Sequence, residues 1–352
     1  MKRTTEENND MSLEAPFPWF GGKRKVAAEV WGRFGDVRNY VEPFFGSGAV
    51  LLGRPEPWSG NETINDLDGF VANFWRAMKC EPESVAEWAN NPVNENDLHA
   101  RHSWLVAARD GLQASIEGDP EFFDAKIAGW WVWGICCWIG SGFCSGRGPW
   151  IVNEARQLVH LGDNGRGVNR QLVHLGNSGQ GVHRKLVHLG GGRGVNRQLV
   201  HLGDNGQNRL VAWFAAISKR LARVRVCSGD WSRVCGPSVT FKHGLTGVFL
   251  DPPYADTAER DFGLYRKDSL SVAHDVRKWA AENGDNPAMR IALCGYDGEH
   301  DMPASWDVHT WKGAVGFAGQ GGGDVHANSR KERIWFSPHC LGEHVAQSRL
   351  PI

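Results

Sequence analysis

The chain contains the stretch Gly247-Val248-Phe249-Leu250-Asp251-Pro252-Pro253-Tyr254, a short apolar run followed by an acid, two prolines and a tyrosine. An apolar run of this length, bounded by turn residues, is typical of a buried strand. Asp251 then stands where the strand ends, at the edge on which open α/β sheets place their ligands. The stretch therefore predicts an α/β fold and marks where a site would lie.

The residues after the strand suit the recognition of an exocyclic amino group. Asp251 can accept a hydrogen bond from such a group. Pro252 has no N–H and stiffens the chain, so its carbonyl is free to point at the same group. Tyr254 offers a flat face on which a base extruded from a duplex can stack. The alternative is a Pro-Pro turn with a solvated acid, and the rest of the chain has to decide between them.

A glycine loop in the first fifty residues predicts a site for a nucleotide-like cofactor. A strand is expected over 39–44, and residues 45–52 read as a loop that turns into a helix. Gly46 and Gly48 allow the backbone to approach a ligand closely. Position 51 is Leu, where the dinucleotide fingerprint needs its third glycine. That weakens an NAD interpretation and leaves other adenosine-bearing cofactors open.

Two acids follow the next predicted strand, residues 62–65. Asp66 is well placed to hold ribose hydroxyls at the end of that strand. Asp68 suits the N-cap of a helix over 69–79. Further upstream, Lys23 closes a Gly-Gly-Lys turn that opens a helix predicted over 24–34, where a lysine and the helix N-terminus can meet an anion.

The remaining elements are predicted from apolar periodicity. Residues 81–124 are expected to be mostly helical, and residues 209–226 form an amphipathic helix that runs into a strand at 224–227. A helix over 271–282, a strand over 290–296 and a final strand over 333–337, with an antiparallel placement left open, complete the pattern. The Trp-rich residues 129–142 are interpreted as a core element rather than a base-stacking platform.

A short repeat occupies the middle of the chain. The unit Arg156-Gln157-Leu158-Val159-His160-Leu161-Gly162 recurs from Arg170, Arg184 and Arg197, with periods of 14, 14 and 13 residues. Each unit is a short β-like run and a turn, which predicts stacked strands or hairpins. A disordered, duplicated loop is the alternative. If the units are ordered, their arginines suit a phosphate backbone: Arg156, Arg170, Arg184 and Arg197.

Composition predicts a soluble globular protein. The 352 residues are 41% hydrophobic and 22% charged, and the net charge of -1 gives the whole molecule no polyanion-binding signature. Lys and Arg nevertheless outnumber Asp and Glu by 13 to 3 between residues 147 and 225. The polar, acidic start predicts a flexible tail over 1–15 and no signal peptide.

The eight cysteines show no CxxC pair, which favours reduced cytosolic thiols and no metal site. The run 127–146 carries no charge but is rich in glycine and tryptophan, so a buried element is expected there rather than a membrane span.

Taken together, four motifs resemble the Dam-type, alpha-group adenine-specific DNA methyltransferases, most closely their phage and prophage branch. The match is carried, in this order, by residues 19–23, 41–48, 65–68 and 251–254. The resemblance implies a class I S-adenosylmethionine-dependent methyltransferase fold, with a mixed, mostly parallel sheet flanked by helices. It places the catalytic domain at 16–128 and 209–345 and an inserted target-recognition region at 129–208, with the four repeats at 156–208.

The resemblance also implies roles for single residues. S-adenosylmethionine would be bound by Trp19, Lys23, Phe45, Gly46, Gly48, Asp66 and Asp251. Asp251 and Pro252 would hold the amino group of a flipped adenine, on which Tyr254 would stack. The methyl group would pass directly from the sulfonium to the nitrogen, without a metal or a covalent enzyme intermediate, so that the enzyme mainly supplies positioning.

The implied partner is double-stranded DNA in the cytoplasm, with no membrane and no obligate protein partner. Three alternatives remain open: methylation of cytosine N4, methylation of adenine in RNA, and a non-catalytic DNA-binding relative. The repeats match no fixed family motif. A regular basic surface that touches mostly phosphates would favour relaxed sequence specificity, because backbone contacts carry no base information.

Overall fold

The computed structural model describes residues 13–19, 22–138, 143–144, 150–152, 158–160, 204–253, 271–311 and 332–342. Its strands are β1 (Asn39–Glu42), β2 (Asn61–Asp66), β3 (Trp150–Val152), β4 (Leu158–His160), β5 (Val224–Ser228), β6 (Thr246–Leu250), β7 (Met289–Tyr296), β8 (Asp307–Thr310) and β9 (Glu332–Phe336). Its helices are α1 (Ala27–Phe34), α2 (Ala49–Leu52), α3 (Gly69–Cys80), α4 (Pro82–Ala89), α5 (Glu95–Gly118), α6 (Ala125–Cys137), α7 (Asp204–Leu221) and α8 (Val272–Asn283).

Seven of the described strands form one sheet in the order β5-β2-β1-β6-β7-β9-β8. Neighbours are parallel from β5 through β7, while β9 runs antiparallel to both β7 and β8. The chain winds outward to one side from β1 and then returns to start the other side at β6. Strand order therefore reverses between β1 and β6, where doubly wound sheets open a crevice at the carboxyl ends of the strands.

The sheet is buried on both faces, as a central strand shows. All five residues of β6 are buried. Side chains alternate between the two faces of a strand, so Phe249 packs into one core and Val248 and Leu250 pack into the other. Helices α3, α4, α6 and α7 contribute to the first core, and α8 contributes to the second. The predicted mixed, mostly parallel sheet flanked by helices is thus confirmed.

Helix α6 settles the interpretation of the Trp-rich run as far as Cys137. Trp131 and Trp133 are almost fully buried, and Trp131 lies edge-on to Phe17 at 4.9 Å between ring centroids. The Asp124 side chain caps the helix by accepting from the Ile127 N–H. These tryptophans are core residues, as predicted. No helix in the described part of the chain is long and apolar enough to cross a membrane.

Element boundaries differ from the predictions by a few residues. Helix α1 begins at Ala27 rather than at residue 24, because residues 24–26 form a turn. The last strand is antiparallel, and the short strand β8 that pairs with it was not predicted. In the first repeat unit, Leu158–His160 is the strand β4, paired with β3. The other three units lie outside the described residues, and the domain division stays a prediction.

Candidate active site

The candidate site lies at the carboxyl ends of the parallel strands, on both sides of the switch point between β1 and β6. The glycine loop follows β1, Asp66 ends β2, and Asp251 follows β6. Lys23 precedes α1 and reaches the same edge. Parallel strands end together, so residues far apart in sequence meet here.

Gly46 and Gly48 are held in conformations that favour glycine. Gly46 has φ 48° and Gly48 has φ 71°, both in the left-handed region. A Cβ on Gly46 would come within 2.4 Å of the indole nitrogen of Trp19, and one on Gly48 would come within 2.7 Å of the Phe45 ring. The loop is therefore packed directly against the two aromatic residues that the sequence assigned to the same site.

Asp66 holds the glycine loop in place. Its carboxylate accepts hydrogen bonds from the backbone N–H of Gly46 at 3.0 Å and from that of Asp68 at 2.9 Å. On the other side of the loop, the Trp75 indole N–H donates to the Gly46 carbonyl at 2.8 Å. Both backbone polar groups of Gly46 thus have protein partners. The predicted cap is confirmed, since Asp68 accepts from the N–H of Phe70 at the start of α3.

Asn65 ties the ends of three strands together. Its side-chain amide donates to the carbonyl of Pro43 after β1 and to that of Gly229 after β5, at 3.0 and 2.9 Å. Since Asn65 itself lies in β2, one buried amide fixes the spacing of the ends of β1, β2 and β5.

Lys23 and Asp251 form the ion pair at the centre of the site. The Lys23 ammonium lies 3.0 Å from a carboxylate oxygen of Asp251, although 228 positions separate them in the chain. Only 4% of the Lys23 side chain is exposed, against 20% for Asp251. The pair is therefore closed on the lysine side and open to a ligand on the aspartate side.

A second carboxylate, Glu332, lies 3.8 Å from the same ammonium. It is the first residue of β9 and pairs with Tyr296, the last residue of β7. Because β9 is antiparallel, its beginning lies at the edge where the parallel strands end. Glu332 was not among the predicted site residues. The available signal was a charged residue at the head of an apolar final strand, which becomes informative only if that strand is antiparallel.

The charges of the central pair follow from burial and proximity. Burial lowers the pKa of Lys23, but the carboxylates of Asp251 and Glu332 outweigh that effect and leave the pKa above its ordinary value. Burial raises the pKa of Asp251, and the Lys23 ammonium offsets part of the rise. Lysine is thus fixed as a cation, while aspartate depends on that cation to remain ionised.

Three further groups surround Asp251. The Cys294 thiol in β7 donates a hydrogen bond to its carboxylate. Glu42, at the end of β1, accepts from the Tyr40 hydroxyl at 2.8 Å, and burial raises the pKa of Glu42 well above its usual range. Burial likewise raises the pKa of the Tyr296 hydroxyl, to about 12. None of these groups was predicted as a site residue.

The structure describes all of the predicted cofactor residues and two of the three predicted catalytic residues, Asp251 and Pro252. Pro252 is buried beside Asp251, and Tyr254 lies outside the described residues. The repeat arginines also lie outside them: Arg156, Arg170, Arg184 and Arg197. Within the described residues, no three His, Cys, Asp or Glu side chains are grouped so as to hold a metal ion.

Part of the site lies in a segment that is similar to a known family of DNA methyltransferases. Residues 19–111 match the family model described as D12 class N6 adenine-specific DNA methyltransferase. Over these residues, the match agrees with the predicted resemblance to adenine-specific DNA methyltransferases. The match begins at Trp19 and includes Lys23, the glycine loop and Asp66, but ends long before Asp251.

One curated relative supports the match. The chain is similar to Type II methyltransferase M1.LlaDCHI of Lactococcus lactis subsp. cremoris, with 29% identity over 106 residues. The aligned part is 30% of this chain and 36% of the relative. The chain thus matches little more than a third of the relative's length. The phage and prophage branch stays a prediction.

Proposed function

We propose that this protein transfers a methyl group from S-adenosylmethionine to the N6 amino group of adenine in double-stranded DNA. The observation that carries the proposal is the Lys23–Asp251 contact at the end of β6, beside the glycine loop. Lys23 lies in the segment that matches an N6-adenine DNA methyltransferase family, and Asp251 lies outside it. The contact therefore joins the matched segment to the acid that would receive the target base.

The cofactor would lie along the carboxyl ends of β1 and β2. S-adenosylmethionine supplies a methyl group already activated by its positive sulfonium. The glycine loop fits such a ligand, because Gly46 and Gly48 present backbone without a Cβ at the switch point. Asp66 is partly exposed and uses its carboxylate to order the loop, which leaves lone pairs for ribose hydroxyls. Trp19 and Phe45 would flank the ligand.

Asp251 would accept a hydrogen bond from the adenine amino group. A carboxylate has about four lone-pair positions, and Lys23 and Cys294 occupy one side of this one. The Pro252 carbonyl would be the second acceptor, and Tyr254 would stack on the flipped base. Two acceptors pull the amino hydrogens out of the plane of the base, which localises the nitrogen lone pair and turns it toward the methyl donor. As the new C–N bond forms, the C–S bond of the sulfonium breaks and S-adenosylhomocysteine leaves. The methylated nitrogen then releases one proton to solvent. Holding the two reactants in line supplies much of the rate enhancement.

DNA would be held by the region between the two catalytic segments. The excess of basic residues between 147 and 225 favours contact with phosphates, and the four repeat arginines are the proposed contacts. In this proposal residues 16–128 and 209–345 form the catalytic domain, residues 129–208 form the recognition region, and the protein acts in the cytoplasm without an obligate protein partner.

The direct test is nucleoside mass spectrometry. The purified protein is incubated with S-adenosylmethionine and unmethylated DNA, the DNA is digested, and the methylated nucleosides are measured. The variant Asp251→Ala is run in parallel, with its thermal unfolding checked. N6-methyladenine that disappears in a folded Asp251→Ala variant is the expected result.

Other outcomes assign a different function. N4-methylcytosine would keep the fold and the site but replace the target base. Methylation of RNA alone would replace the nucleic acid. If no methylated base forms on DNA or RNA while DNA is still bound, the methyltransferase proposal fails and a DNA-binding role replaces it.

A further inference from the structure

Glu332 is the one acid of the site that neither the motifs nor the family match includes. Its side chain is 9% exposed and lies in β9, 3.8 Å from the Lys23 ammonium that also contacts Asp251. A buried carboxylate costs free energy unless it is paired. Glu332 shares its nearest cation, Lys23, with Asp251, so this single ammonium has to compensate two carboxylates.

We propose that Glu332 is a positioning residue, which shares the Lys23 ammonium with Asp251 and so keeps Asp251 a strong acceptor for the target amino group. This inference rests on the proposed methyl transfer. With both carboxylates present, the ammonium is divided between them and the Asp251 oxygens keep more of their negative charge. Without Glu332, the ammonium would attach fully to Asp251 and compete with the substrate for the same lone pairs.

The charge balance supports the same role. Lys23 carries one positive charge and faces two carboxylates, while burial raises the pKa of Glu42 and favours its neutral form. A methyl transfer moves positive charge from the sulfonium onto the amino nitrogen. An excess carboxylate stabilises that charge most strongly where water is excluded. Glu332 would thus act through Lys23 and through the local potential, without touching the base.

The titratable and charged groups near Asp251 come from several elements. Among the described residues, they are Lys23 before α1, Glu42 in β1, Cys294 and Tyr296 in β7, and Glu332 in β9. Lys23 is the only cation in this set, so its position decides how easily Asp251 takes up a proton. A change in its second partner must therefore alter the acidic side of the pH profile.

The test compares Glu332→Gln, Glu332→Asp and the control Asp307→Asn with the wild-type protein. We expect Glu332→Gln to lower kcat by about 10- to 100-fold, less than the loss typical of a group that contacts the transition state. The KM for DNA should change little. The acidic limb should move to lower pH, because undivided Lys23 stabilises the ionised form of Asp251. Glu332→Asp restores the carboxylate at a longer distance from the ammonium. Its kcat and its acidic limb should therefore lie between those of the wild-type protein and Glu332→Gln.

Asp307 is the matched control, since it lies on the adjacent strand β8 and pairs with Arg33 at 3.1 Å outside the site. Asp307→Asn should leave kcat and the pH profile unchanged. If the wild-type protein is active and the acidic limb of the Glu332→Gln profile does not move, the inference about Glu332 is overturned while the proposed function stands. This holds even if the activity of the variant falls in proportion to its folded fraction. If that variant does not fold, an unmoved limb in Glu332→Asp overturns it. A wild-type protein that methylates nothing overturns the proposed function, and the inference with it.

Discussion

Two buried clusters of charge lie at opposite edges of the same sheet, and their composition is inverted. The carboxyl-edge cluster, Lys23 with Asp251 and Glu332, places one cation between two acids. The amino-edge cluster, Arg54 and Arg220 with Glu62, places one acid between two cations. All six side chains are charged and mostly buried, so burial alone does not distinguish a candidate active site from a structural ion pair.

The difference lies in how completely each cluster is satisfied. The Glu62 carboxylate accepts three hydrogen bonds, at 2.9, 2.6 and 2.8 Å, and is 1% exposed. Both arginines donate in addition to backbone carbonyls and lie over the Trp58 ring. At the carboxyl edge, Asp251 is 20% exposed and retains acceptor capacity. A closed cluster fastens elements together, whereas an open one can receive a ligand.

The largest expected effect is at the closed cluster. Glu62→Gln removes the carboxylate that two buried arginines share, and breaking a buried pair in this way typically costs about 3–5 kcal/mol. We expect a loss of that size in the free energy of unfolding, measured by urea denaturation. The kcat of the molecules that remain folded should be unchanged.

A surface ion pair is the control for Glu62. The side chain of Asp110 is 86% exposed and pairs with Arg109, and Asp110→Asn removes its charge. Such pairs contribute about 0–1 kcal/mol, so its denaturation midpoint should stay near that of the wild-type protein. If Glu62→Gln lowers the free energy of unfolding no more than Asp110→Asn does, the amino-edge cluster does not stabilise the fold as its geometry indicates.

The next effect is at the open cluster and concerns activity. Lys23→Met removes the cation from between Asp251 and Glu332. We expect kcat to fall by about 10²- to 10³-fold, in line with the loss of a positioned charged group. Burial then raises the pKa of Asp251 without the offset from Lys23. Since activity needs the ionised acid, the acidic limb of the kcat profile should move to higher pH, opposite to the shift expected for Glu332→Gln.

Opposite shifts would show that the two residues act on Asp251 through one ammonium. Shifts in the same direction in both variants would contradict that arrangement. Urea denaturation of Lys23→Met separates a loss of folded protein from a loss of catalysis.

The carboxyl-edge cluster also shows which residues of the candidate site could be predicted from the sequence. The family resemblance implied that Lys23, Gly46, Asp66 and Asp251 share one site. The positions of Asp66 and Asp251 at the ends of predicted strands agree with that assignment, because parallel strands share an edge. Glu332 was out of reach because its position depends on the direction of the last strand, which no local pattern fixes. Strand β8 was missed because its four residues include no buried one, so it shows no apolar alternation.

The amino-edge cluster shows the same limit. Glu62, Arg54 and Arg220 are ordinary surface residue types, and Arg220 lies on a helix predicted to be amphipathic. Only the packing of α7 against the sheet turns that arginine inward, where it is 8% exposed. Tertiary contacts of this kind have no signature in a single sequence.

Two glycines allow the same comparison between the carboxyl and amino edges of the sheet. Gly46 at the carboxyl edge and Gly60 at the amino edge both have positive φ, 48° and 127°. A Cβ on Gly46 would clash with the Trp19 indole, and one on Gly60 would lie 1.9 Å from the Arg38 carbonyl oxygen. Each alanine variant should cost about 1–3 kcal/mol of stability from backbone strain. Only Gly46→Ala should also weaken S-adenosylmethionine binding in calorimetry. Equal cofactor affinity in the two folded variants would separate the glycine loop from the cofactor.

The smallest expected effect is the difference in S-adenosylmethionine affinity between variants of two neighbouring acids at the carboxyl edge, Asp66 and Asp68. Asp68→Ala removes the N-cap of α3, which typically costs about 1 kcal/mol. Its carboxylate accepts from Phe70 and does not contact the glycine loop, so we expect a lower melting temperature and unchanged cofactor affinity. Asp66→Ala instead frees the Gly46 N–H that shapes the loop, and cofactor affinity should fall. If both variants lose affinity equally, the whole β2–α3 turn shapes the loop. If neither does, Asp66 serves only the fold, and the cofactor half of the site depends on the glycine backbone alone.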